Sequence, residues 1–279
     1  MKLKRETAVV TGAGRGIGRA IAIAQAREGA QVALLARTEA EVAAVAGAIT
    51  DQGGTARAYR VDLVDLDAVT RTLAKIERDL GPVGLLTNNA GAFRAIGPIW
   101  TVDPAEWWSD VEVNIRGTFN CCRAVVPGMI ERRRGRIINM TGGGTATSFP
   151  NGSGYATSKA GILRFTECLS DSLIDTGVLV FAMDPGLVRT RMTEYQLNSQ
   201  AGRDYLPHLA DTFAAGVSVP PERAAAMAVE IGTGRFDRIA GRLLMAARDD
   251  LDALEATMDD IVAKDFRSLR VNGLPPERR

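Results

Sequence analysis

The sequence contains one histidine, three cysteines and no long apolar run, and each scarcity excludes a class of protein. With His208 alone, neither a histidine-based metal site nor a Ser-His-Asp triad is expected. Cys121, Cys122 and Cys168 do not make a disulfide framework and are expected to be buried thiols in the reducing cytoplasm. No stretch reaches the roughly 20 apolar residues of a membrane helix, and the apolar run near the N-terminus is too short for a signal peptide.

Neither sign of charge dominates the chain. Its 34 Lys and Arg residues against 33 Asp and Glu residues give a formal net charge of +1. This balance argues against a protein that binds nucleic acid or a membrane surface, because both partners attract a basic surface. The chain of 279 residues is long enough to bury a large core and has no low-complexity linker or internal repeat. We therefore expect a single domain over residues 1–279.

Short apolar runs alternate with longer segments of helical period. Strands are expected at residues 7–11, 31–36, 56–61, 84–88, 135–140, 177–183 and 241–246. Helices are expected at residues 16–28, 38–50, 65–80, 105–133 and 155–175. Because strands this apolar suit a parallel sheet covered on both faces, the alternation predicts an α/β fold, a doubly wound parallel sheet of about seven strands.

The last third of the chain departs from this alternation. Residues 186–219 read as irregular and contain several glycines and prolines. Because long irregular segments of compact domains are often lids, residues 187–216 are expected to cover a substrate. Residues 249–271 have the pattern of one charged amphipathic helix, which we interpret as a C-terminal extension for packing or oligomerisation rather than a separate module.

The first expected strand leads into a glycine-rich turn, TGAGRGIGRAIA, that opens a helix. Gly12, Gly16 and Gly18 allow a tight turn, close approach of a phosphate to the backbone, and close packing of the helix. The helix N-terminus offers N–H groups and a positive dipole to a pyrophosphate. Its place between a strand and a helix distinguishes this motif from an ordinary glycine-rich turn and predicts a dinucleotide site.

The end of the second strand lacks a carboxylate, which at this point would bind ribose hydroxyls and repel a 2′-phosphate. Ala36 supplies no charge there, whereas Arg37 supplies a cation suited to a phosphate. Arg15, inside the glycine turn, is able to approach the same phosphate. The pattern favours NADP(H) over NAD(H). Asp62, after the third strand, caps either the adenine edge or a helix.

Tyr155-Ala-Thr-Ser-Lys159 places a phenol and an ammonium group one helical turn apart. A free tyrosine has a pKa of about 10, and a nearby cation favours the phenolate. A pKa lowered by about two or three units would suit general acid/base work. Taken alone, however, the pair is better explained as a packed tyrosine beside a solvated lysine.

Six motifs occur together and in order, and as a set they resemble a known family. They are TGAGRGIG, Asp62, NNAG (88–91), Asn114, YATSK and PG-x-V-x-T (185–190). Over residues 5–190 the set resembles the standard single-domain branch of the short-chain dehydrogenase/reductase family. The resemblance implies a Rossmann-type sheet that binds NAD(P)(H), with Asn114, Tyr155 and Lys159 in the catalytic group.

The resemblance also implies a role for each of these residues. Tyr155 would exchange a proton with the substrate oxygen, while Lys159 would hold the nicotinamide ribose and lower the tyrosine pKa. Asn114 would anchor a water that relays protons from Lys159, or satisfy the backbone of a kinked helix, or do both. The implied cofactor-binding residues are Gly12, Arg15, Gly16, Ile17, Gly18, Arg37, Asp62, Asn89, Ala90, Gly91, Tyr155, Lys159, Pro185, Gly186, Val188 and Thr190.

One position departs from the family pattern. The serine expected thirteen residues before the tyrosine is replaced by Gly142. A hydroxyl there would stabilise developing charge on the substrate oxygen, and losing such a donor typically costs about 100-fold to 1,000-fold in rate. Thr141, Thr145 and Ser153 are conceivable substitutes, with Thr141 favoured because it directly ends the strand. The other reading is that no residue substitutes.

These features predict an NADP(H)-dependent oxidoreductase that interconverts a carbonyl and a secondary alcohol. A related possibility keeps the hydride chemistry but reduces an activated alkene. The alternative of another class, motivated by Gly142, is a dinucleotide-binding sensor or scaffold with weak or no turnover. Aromatic residues in segments 92–102, 143–154 and 187–216 suggest an apolar or ring-containing substrate. By analogy with the family, a homodimer and a homotetramer are both open.

Overall fold

The computed structural model describes residues 1–270, so residues 271–279 of the expected domain and residue 271 of the expected extension lie outside the described residues. Within residues 1–270, seven strands form one sheet in the order β3-β2-β1-β4-β5-β6-β7. All adjacent strands are parallel. The strands are β1 Thr7–Thr11, β2 Gln31–Ala36, β3 Thr55–Arg60, β4 Val83–Asn88, β5 Gly135–Met140, β6 Val178–Asp184 and β7 Leu243–Met245. The predicted parallel sheet is confirmed, with strand ends shifted by a residue or two.

Helices cover both faces of this sheet. They are α1 Gly16–Arg27, α2 Glu39–Thr50, α3 Leu66–Leu80, α4 Pro104–Val111, α5 Gly117–Glu131, α6 Ser153–Ser172, α7 Arg191–Asn198, α8 Gln200–Tyr205, α9 His208–Ala214, α10 Pro221–Thr233, α11 Leu251–Ala256 and α12 Met258–Ala263. Among the helices described, none combines the length and the apolar character needed to cross a membrane.

Successive strand residues point to opposite faces of the sheet and so enter two different cores. Val10 and Leu34 belong to the cluster packed by α1, α2 and α10. Their neighbours Val9 and Leu35 belong to the cluster packed by α3 and α5. Because both faces are covered, β1 is buried at every position and β2 at its four central positions, rather than at every second one.

Helix starts follow from local side-chain chemistry. At the start of α3, the Asp65 carboxylate accepts the N–H of Ala68 at 2.9 Å. Asp103 caps α4 in the same way, and Pro104 occupies the first turn, where its missing N–H costs nothing. These caps place both helix starts within a residue of the expected positions.

The sheet order places the ends of four strands side by side. The strand order reverses between β1 and β4, and in open parallel sheets ligands bind outside the carboxyl ends of the strands at this reversal. The glycine turn follows β1, and the NNAG segment closes β4. Thr141 and Gly142 follow β5, and Pro185 and Gly186 follow β6. The topology therefore gathers the predicted motifs at one edge of the sheet.

The helix expected over residues 105–133 contains an irregular turn. Helices α4 and α5 are joined by a π-helical turn, Glu112–Arg116, with Asn114 at its centre. The wider turn is accompanied by a hydrogen bond from the Thr118 hydroxyl to the Asn114 carbonyl at 2.8 Å. Such turns inside helices frequently occur at functional sites.

Residues 186–219 contain more helix than expected, and residues 249–271 contain a helix break that was not expected. Residues 186–219, expected to be irregular, contain α7, α8 and α9, with Thr190 and Ser199 capping the first two. The single helix expected over 249–271 is instead α11 and α12, interrupted at Thr257. The Thr257 hydroxyl donates back to the Ala253 carbonyl at 2.9 Å, a local bond that competes with regular helix.

The three cysteines differ in exposure. Cys121 and Cys122 are buried in α5 as expected, whereas Cys168 on α6 is exposed. The expectation of a buried thiol is therefore wrong for Cys168. On α6 the buried positions of this turn are Thr166 and Glu167, and Cys168 follows them onto the solvent face.

The C-terminal extension contributes to the core of the domain. Leu254 on α11 and Ile261 on α12 are 3% and 4% exposed. Both belong to the same cluster as Leu3 and Ile21 from the beginning of the chain. The extension is therefore packed against the body of the protein through apolar contacts as well as through surface charges.

We predict that Ile261→Ala lowers the free energy of unfolding by about 2 to 4 kcal/mol, because it leaves a cavity under α12. The neighbouring Val262 is 46% exposed, so Val262→Ala is expected to change the free energy of unfolding by less than about 0.5 kcal/mol. Urea denaturation of both variants measures the difference. Equal losses in the two variants would contradict the docking of the extension into the core.

Candidate active site

The turn between β1 and α1 is shaped by close backbone contacts. Gly12 and Gly16 have φ of +63° and +54°, in the left-handed region that favours glycine. A Cβ added at Gly18 would lie 2.5 Å from Asn89 Nδ2 and would overlap the Gly12 carbonyl. Ile17 packs against the core and orients the first turn of α1. The turn predicted to bind a phosphate therefore has a backbone shape that requires glycine at these positions.

The NNAG segment connects the glycine turn to the predicted catalytic residues. The Thr11 hydroxyl accepts the N–H groups of Asn89 and Ala90, both at 3.0 Å. Asn89 Nδ2 donates to the Thr11 carbonyl at 2.9 Å. A Cβ added at Gly91 would lie 3.0 Å from Asn114 Oδ1 and 3.5 Å from Lys159 Nζ. The segment after β4 therefore contacts both the glycine turn and the side chains of Asn114 and Lys159.

Asn88 fastens this segment to the sheet. Its side-chain amide donates to Asn139 Oδ1 at 2.9 Å, and Asn139 Nδ2 donates to the Thr166 hydroxyl at 3.0 Å. The three side chains are buried and join β4, β5 and α6. The end of β4 is thus held in register with the helix that carries Tyr155.

The segment after β6 faces the glycine turn. The Gly186 N–H donates to Asp184 Oδ1 at 2.8 Å, and Gly186 has φ of +78°. Thr190 caps α7, and its methyl group would lie 3.3 Å from a Cβ added at Gly16. Two further residues of this segment are buried, Pro185 and Val188. The predicted cofactor residues from both ends of the motif set therefore lie together.

The two predicted phosphate-binding arginines have different surroundings. Arg37 is exposed after β2 and forms no ion pair with any residue in the described range 1–270. Arg15 donates to Glu41 Oε1 at 2.6 Å, and the Arg191 guanidinium lies 3.6 Å from the same oxygen. Sequence reasoning does not identify Glu41, because it lies in α2, beyond the strand end that usually carries the ribose-binding acid. The acidic first turn of α2, which holds Glu41, is the signal that could have found it.

Asp62 has a local role in the structure. It is exposed and accepts the Val64 N–H at 3.2 Å. The alternative in which Asp62 caps a helix is wrong, because Asp65 caps α3. Asp62 thus shapes the turn after β3, on the side of the sheet edge where the glycine turn lies.

Tyr155 and Lys159 lie on successive turns of α6, as their spacing predicts. Lys159 is 4% exposed, so the interpretation as a solvated lysine is wrong. Its ammonium donates to the Met140 carbonyl at 3.0 Å and lies 5.4 Å from the centroid of the Tyr155 ring. Among the described residues, the Tyr155 hydroxyl has no hydrogen-bond partner, which leaves it available to a ligand.

Burial dominates the electrostatics of this pair. It raises the pKa of Tyr155, and the carboxylates of Asp184 and Asp110 raise it further. Burial also lowers the pKa of Lys159 to about 8, against the opposing effect of Asp184. The direction for Tyr155 is opposite to the expected lowering, because burial disfavours the charged phenolate. In the protein alone, the neutral phenol is the favoured form at neutral pH.

The Asn114 side chain is fully engaged with its neighbours. Its Oδ1 accepts the Ala92 N–H at 2.8 Å. Its Nδ2 donates to the Ala92 carbonyl at 3.0 Å and to the Ser158 hydroxyl at 2.8 Å. The side chain thus joins the π-helical turn to the segment after β4 and to α6, rather than to its own helix backbone.

Two of the three conceivable substitutes for the missing serine are engaged elsewhere. The Thr145 hydroxyl donates to the Gly142 carbonyl at 2.6 Å and accepts the Gly142 N–H at 3.2 Å. The Ser153 hydroxyl accepts the indole N–H of Trp107 at 3.0 Å. The Thr141 hydroxyl is buried and has no partner among the described residues.

Tyr155 occupies the space beside Gly142. A Cβ added at Gly142 would lie 3.4 Å from Tyr155 Cζ and would overlap the phenolic oxygen. By contrast, a Cβ at Gly143 would make only an ordinary contact of 3.6 Å with Phe149. Glycine at position 142 therefore permits a closer approach of the phenol to the backbone than any other residue would.

An apolar cluster surrounds Tyr155. The Phe93 ring is stacked on the Tyr155 ring at 4.5 Å between centroids and 10° between planes. The cluster joins segments 92–102, 143–154 and 187–216 through Phe93, Ile96, Phe149, Tyr155, Met192, Ala201, Tyr205, Leu206 and Leu209. Trp100, also expected at the substrate site, is 83% exposed and lies outside this cluster.

A family model for short chain dehydrogenases matches residues 6–201. A short chain dehydrogenase of Pseudocercospora fijiensis (strain CIRAD86) is 40% identical over 195 residues, which are 68% of this chain and 62% of that protein. The chain thus spans less than two thirds of that relative's length. A short chain dehydrogenase of Monascus purpureus is 33% identical over 264 residues, 92% of this chain and 85% of that protein.

The fold has close relatives among solved structures. The crystal structure of a gluconate 5-dehydrogenase from Burkholderia cenocepacia J2315, in complex with NADP and tartrate, matches with a TM-score of 0.78 and 27% identity. The match covers 87% of this chain and 94% of that one. It confirms the predicted Rossmann-type arrangement of sheet and helices. On the family match, the relatives and the shared fold, the chain belongs to the short chain dehydrogenase family of NAD(P)-dependent oxidoreductases that act on CH–OH and C=O groups.

Proposed function

We propose that the protein is an NADP(H)-dependent oxidoreductase that interconverts a carbonyl and a secondary alcohol, with Tyr155 as the acid/base. The observation that carries the proposal is the unpaired Tyr155 hydroxyl beside buried Lys159, at the carboxyl edge of the sheet. A phenol in this position is able to hold and deliver a proton, and the family match supplies the class of reaction.

The residues at the edge of the sheet fit a nicotinamide dinucleotide. The glycine turn lies at the N-terminus of α1 and has no room for a Cβ at Gly18. A pyrophosphate is able to approach such a bare backbone and the helix N–H groups. Lys159 would hold the nicotinamide ribose, and the segment 185–190 would contact the carboxamide. When bound, the cofactor supplies hydride exchange with the substrate carbon. The fit supports a cofactor site built from the predicted residues.

The raised pKa of Tyr155 keeps its hydroxyl protonated at neutral pH. Burial keeps the proton on the phenolic oxygen, from which it would pass to the substrate oxygen as negative charge develops there. Lys159, with a pKa of about 8, titrates close to neutrality and is suited to replace that proton. The proposal includes a water, anchored by Asn114, that relays protons between Lys159 and solvent.

We propose that Thr141 supplies the hydroxyl that the family pattern places at position 142. The hydroxyls of Thr145 and Ser153 are engaged, whereas that of Thr141 is buried without a partner at the end of β5. A buried unpaired hydroxyl is costly, so a ligand oxygen that accepts its hydrogen bond would be stabilised there.

The apolar cluster suggests an apolar or ring-containing substrate beneath a lid at 187–216. Met192, Leu206 and Leu209 from this segment pack with Phe93 and Phe149. A substrate that reaches Tyr155 would replace some of these contacts. The proposal therefore includes a single nucleotide-binding domain whose short helices α7–α9 move on substrate entry.

We propose self-association through α5 and α6 in the cytoplasm. Phe119 on α5 is 43% exposed and packs edge-to-face against Phe165 of α6 at 6.4 Å. Such an apolar pair on adjacent long helices suits a two-fold interface, and both a homodimer and a homotetramer remain compatible with it.

The alternative function is a dinucleotide-binding sensor or scaffold with weak or no turnover. The favouring observation is Gly142, where no side chain is present to donate to a substrate oxygen. A panel of aliphatic and aromatic aldehydes and ketones, together with activated alkenes, separates the two. Oxidation of NADPH with any carbonyl supports the enzyme. Tight NADPH binding without oxidation across the panel supports the alternative, and oxidation with alkenes alone changes the bond that is reduced.

We predict that Tyr155→Phe lowers turnover by about 100-fold to 10,000-fold, because the proton donor is lost. NADPH binding is expected to be retained. Tyr59→Phe is the matched control, since Tyr59 lies on β3 and bonds to Asp79 at 2.9 Å, away from the site. Steady-state rates and a fluorescence titration with NADPH measure both variants. Undiminished turnover in Tyr155→Phe would show that Tyr155 is not the acid/base of the reaction.

We predict that Arg37→Ala weakens NADPH binding by about tenfold, the effect of one exposed charge-assisted contact to the 2′-phosphate. NADH binding is expected to be unchanged, because that cofactor has no such phosphate. Arg71→Ala on α3, which removes another exposed arginine, is the control. The dissociation constants of both cofactors decide the matter. An equal effect on NADPH and NADH, or none, would remove Arg37 from the phosphate site.

We predict that Gly142→Ala lowers turnover by about 100-fold, since the added Cβ displaces the Tyr155 hydroxyl, and misplacement of a reacting group by about 1 Å has this effect. By the same contact, Gly142→Ser is also expected to lower turnover. Gly143→Ala is the matched control, because its Cβ makes only an ordinary contact. A rate in Gly142→Ala equal to that of Gly143→Ala would show that the phenol does not need this space.

A further inference from the structure

Helix α4 buries a carboxylate that takes no part in the proposed proton transfer. Asp110 is 0% exposed, and its Oδ2 accepts the N–H groups of Arg94 at 2.7 Å and Ala95 at 2.9 Å. Its Oδ1 is buried and has no partner among the described residues. Because a buried, incompletely paired carboxylate is costly, its presence points to a structural task that an apolar residue would not perform.

The two N–H groups belong to the segment that follows NNAG. Asn114, four residues after Asp110 in the π-helical turn that continues α4, binds the same segment through the N–H and the carbonyl of Ala92. Residues four apart on a helix share a face. The backbone of Ala92, Arg94 and Ala95 is thus held by two side chains from the end of α4 and the π-helical turn. We call this arrangement the α4 clamp.

Phe93 lies in the middle of the clamped segment. It is 3% exposed, and its ring is stacked on Tyr155 at 4.5 Å and meets Phe149 edge-to-face at 5.5 Å. A Cβ added at Gly152 would lie 2.7 Å from Phe93 Cζ, so the ring is also pressed against the start of α6. Stacked rings contribute free energy beyond their burial, and their geometry depends on the placement of both backbones.

We propose that Asp110 is a positioning residue. Together with Asn114 it fixes residues 92–95 against α4, so that the Phe93 ring covers one face of Tyr155 and forms a wall of the substrate site. The role of this wall in catalysis rests on the proposed function of Tyr155. The positioning of residues 92–95 by the α4 clamp does not depend on that function. The carboxylate suits the task because a single oxygen accepts two N–H groups, which an apolar residue at position 110 would leave buried and unpaired.

A fluorine label on tyrosine reports the stacking without any turnover. The chain has four tyrosines, so the full-length protein labelled with 3-fluorotyrosine is expected to give four resonances in its ¹⁹F spectrum, and Tyr155→Phe assigns one of them. Phe93→Leu removes the ring current and defines the unstacked position of the Tyr155 resonance. Asp110→Val is expected to move that resonance most of the way to the Phe93→Leu position.

Asp110→Asn keeps an oxygen able to accept both N–H groups and is expected to leave the resonance near its wild-type position. Asp65→Ala, which removes the cap of α3, is the control for a loss of stability alone. An unmoved Tyr155 resonance in Asp110→Val would overturn the clamp, as would an equal shift in Asp65→Ala or in Asp110→Asn. Should Asp110→Val not fold, Asp110→Ser, whose shorter side chain does not reach both amides, takes its place with the same expected shift.

Kinetics of the same variants test the consequence for the substrate site. With a carbonyl compound reduced by the wild-type enzyme, Asp110→Val is expected to raise KM for that compound by about tenfold, the measure of one lost stacking contact. KM for NADPH is expected to be unchanged. Absence of turnover in the wild type counts against the proposed function, while the fluorine shift alone decides the clamp.

Discussion

The segment that follows β4 is the constraint on which the rest of the site depends. Asn88 ties its start to the sheet, and Asn89 holds the glycine turn against β1. Further along, Asn114 and Asp110 hold the backbone on either side of Phe93. A single stretch of chain therefore sets the distance between the proposed dinucleotide cradle and the phenol. A shift at Asn88 or Asn89 would displace the glycine turn, whereas a shift at residues 92–95 would displace the ring that lies on Tyr155.

The same packing sets the electrostatics of the site. A phenol enclosed by apolar rings is difficult to ionise, and an ammonium group enclosed beside it is difficult to keep charged. The pair therefore combines a neutral tyrosine with a lysine whose pKa is lowered to about 8. This state is suited to donation of a proton to a carbonyl oxygen. Gly142 allows the Tyr155 phenol to lie directly against the backbone, at the position where the family pattern places a serine.

The architecture could be predicted from the sequence because its signals are local or ordered along the chain. Apolar strands, glycines at forced turns and the Tyr155–Lys159 spacing each carry their own physical reason. The features that were missed depend on partners distant in sequence. Glu41 meets Arg15 only after α2 folds back on the glycine turn, and Asp110 is an unremarkable acid until the segment after β4 buries it. The direction of the tyrosine pKa likewise follows from enclosure, which residue spacing does not report.

The transfer of deuterium from NADPH labelled at C4 of the nicotinamide ring tests the central claim most directly. Product isolated after reduction of a ketone would be analysed by mass spectrometry, with each face of the ring labelled in turn. The account predicts deuterium at the carbinol carbon from one label and none from the other, because the cofactor is held in one orientation against Tyr155. If the product formed as fast as with unlabelled NADPH but carried deuterium from neither label, hydride transfer and with it the proposed function would be contradicted.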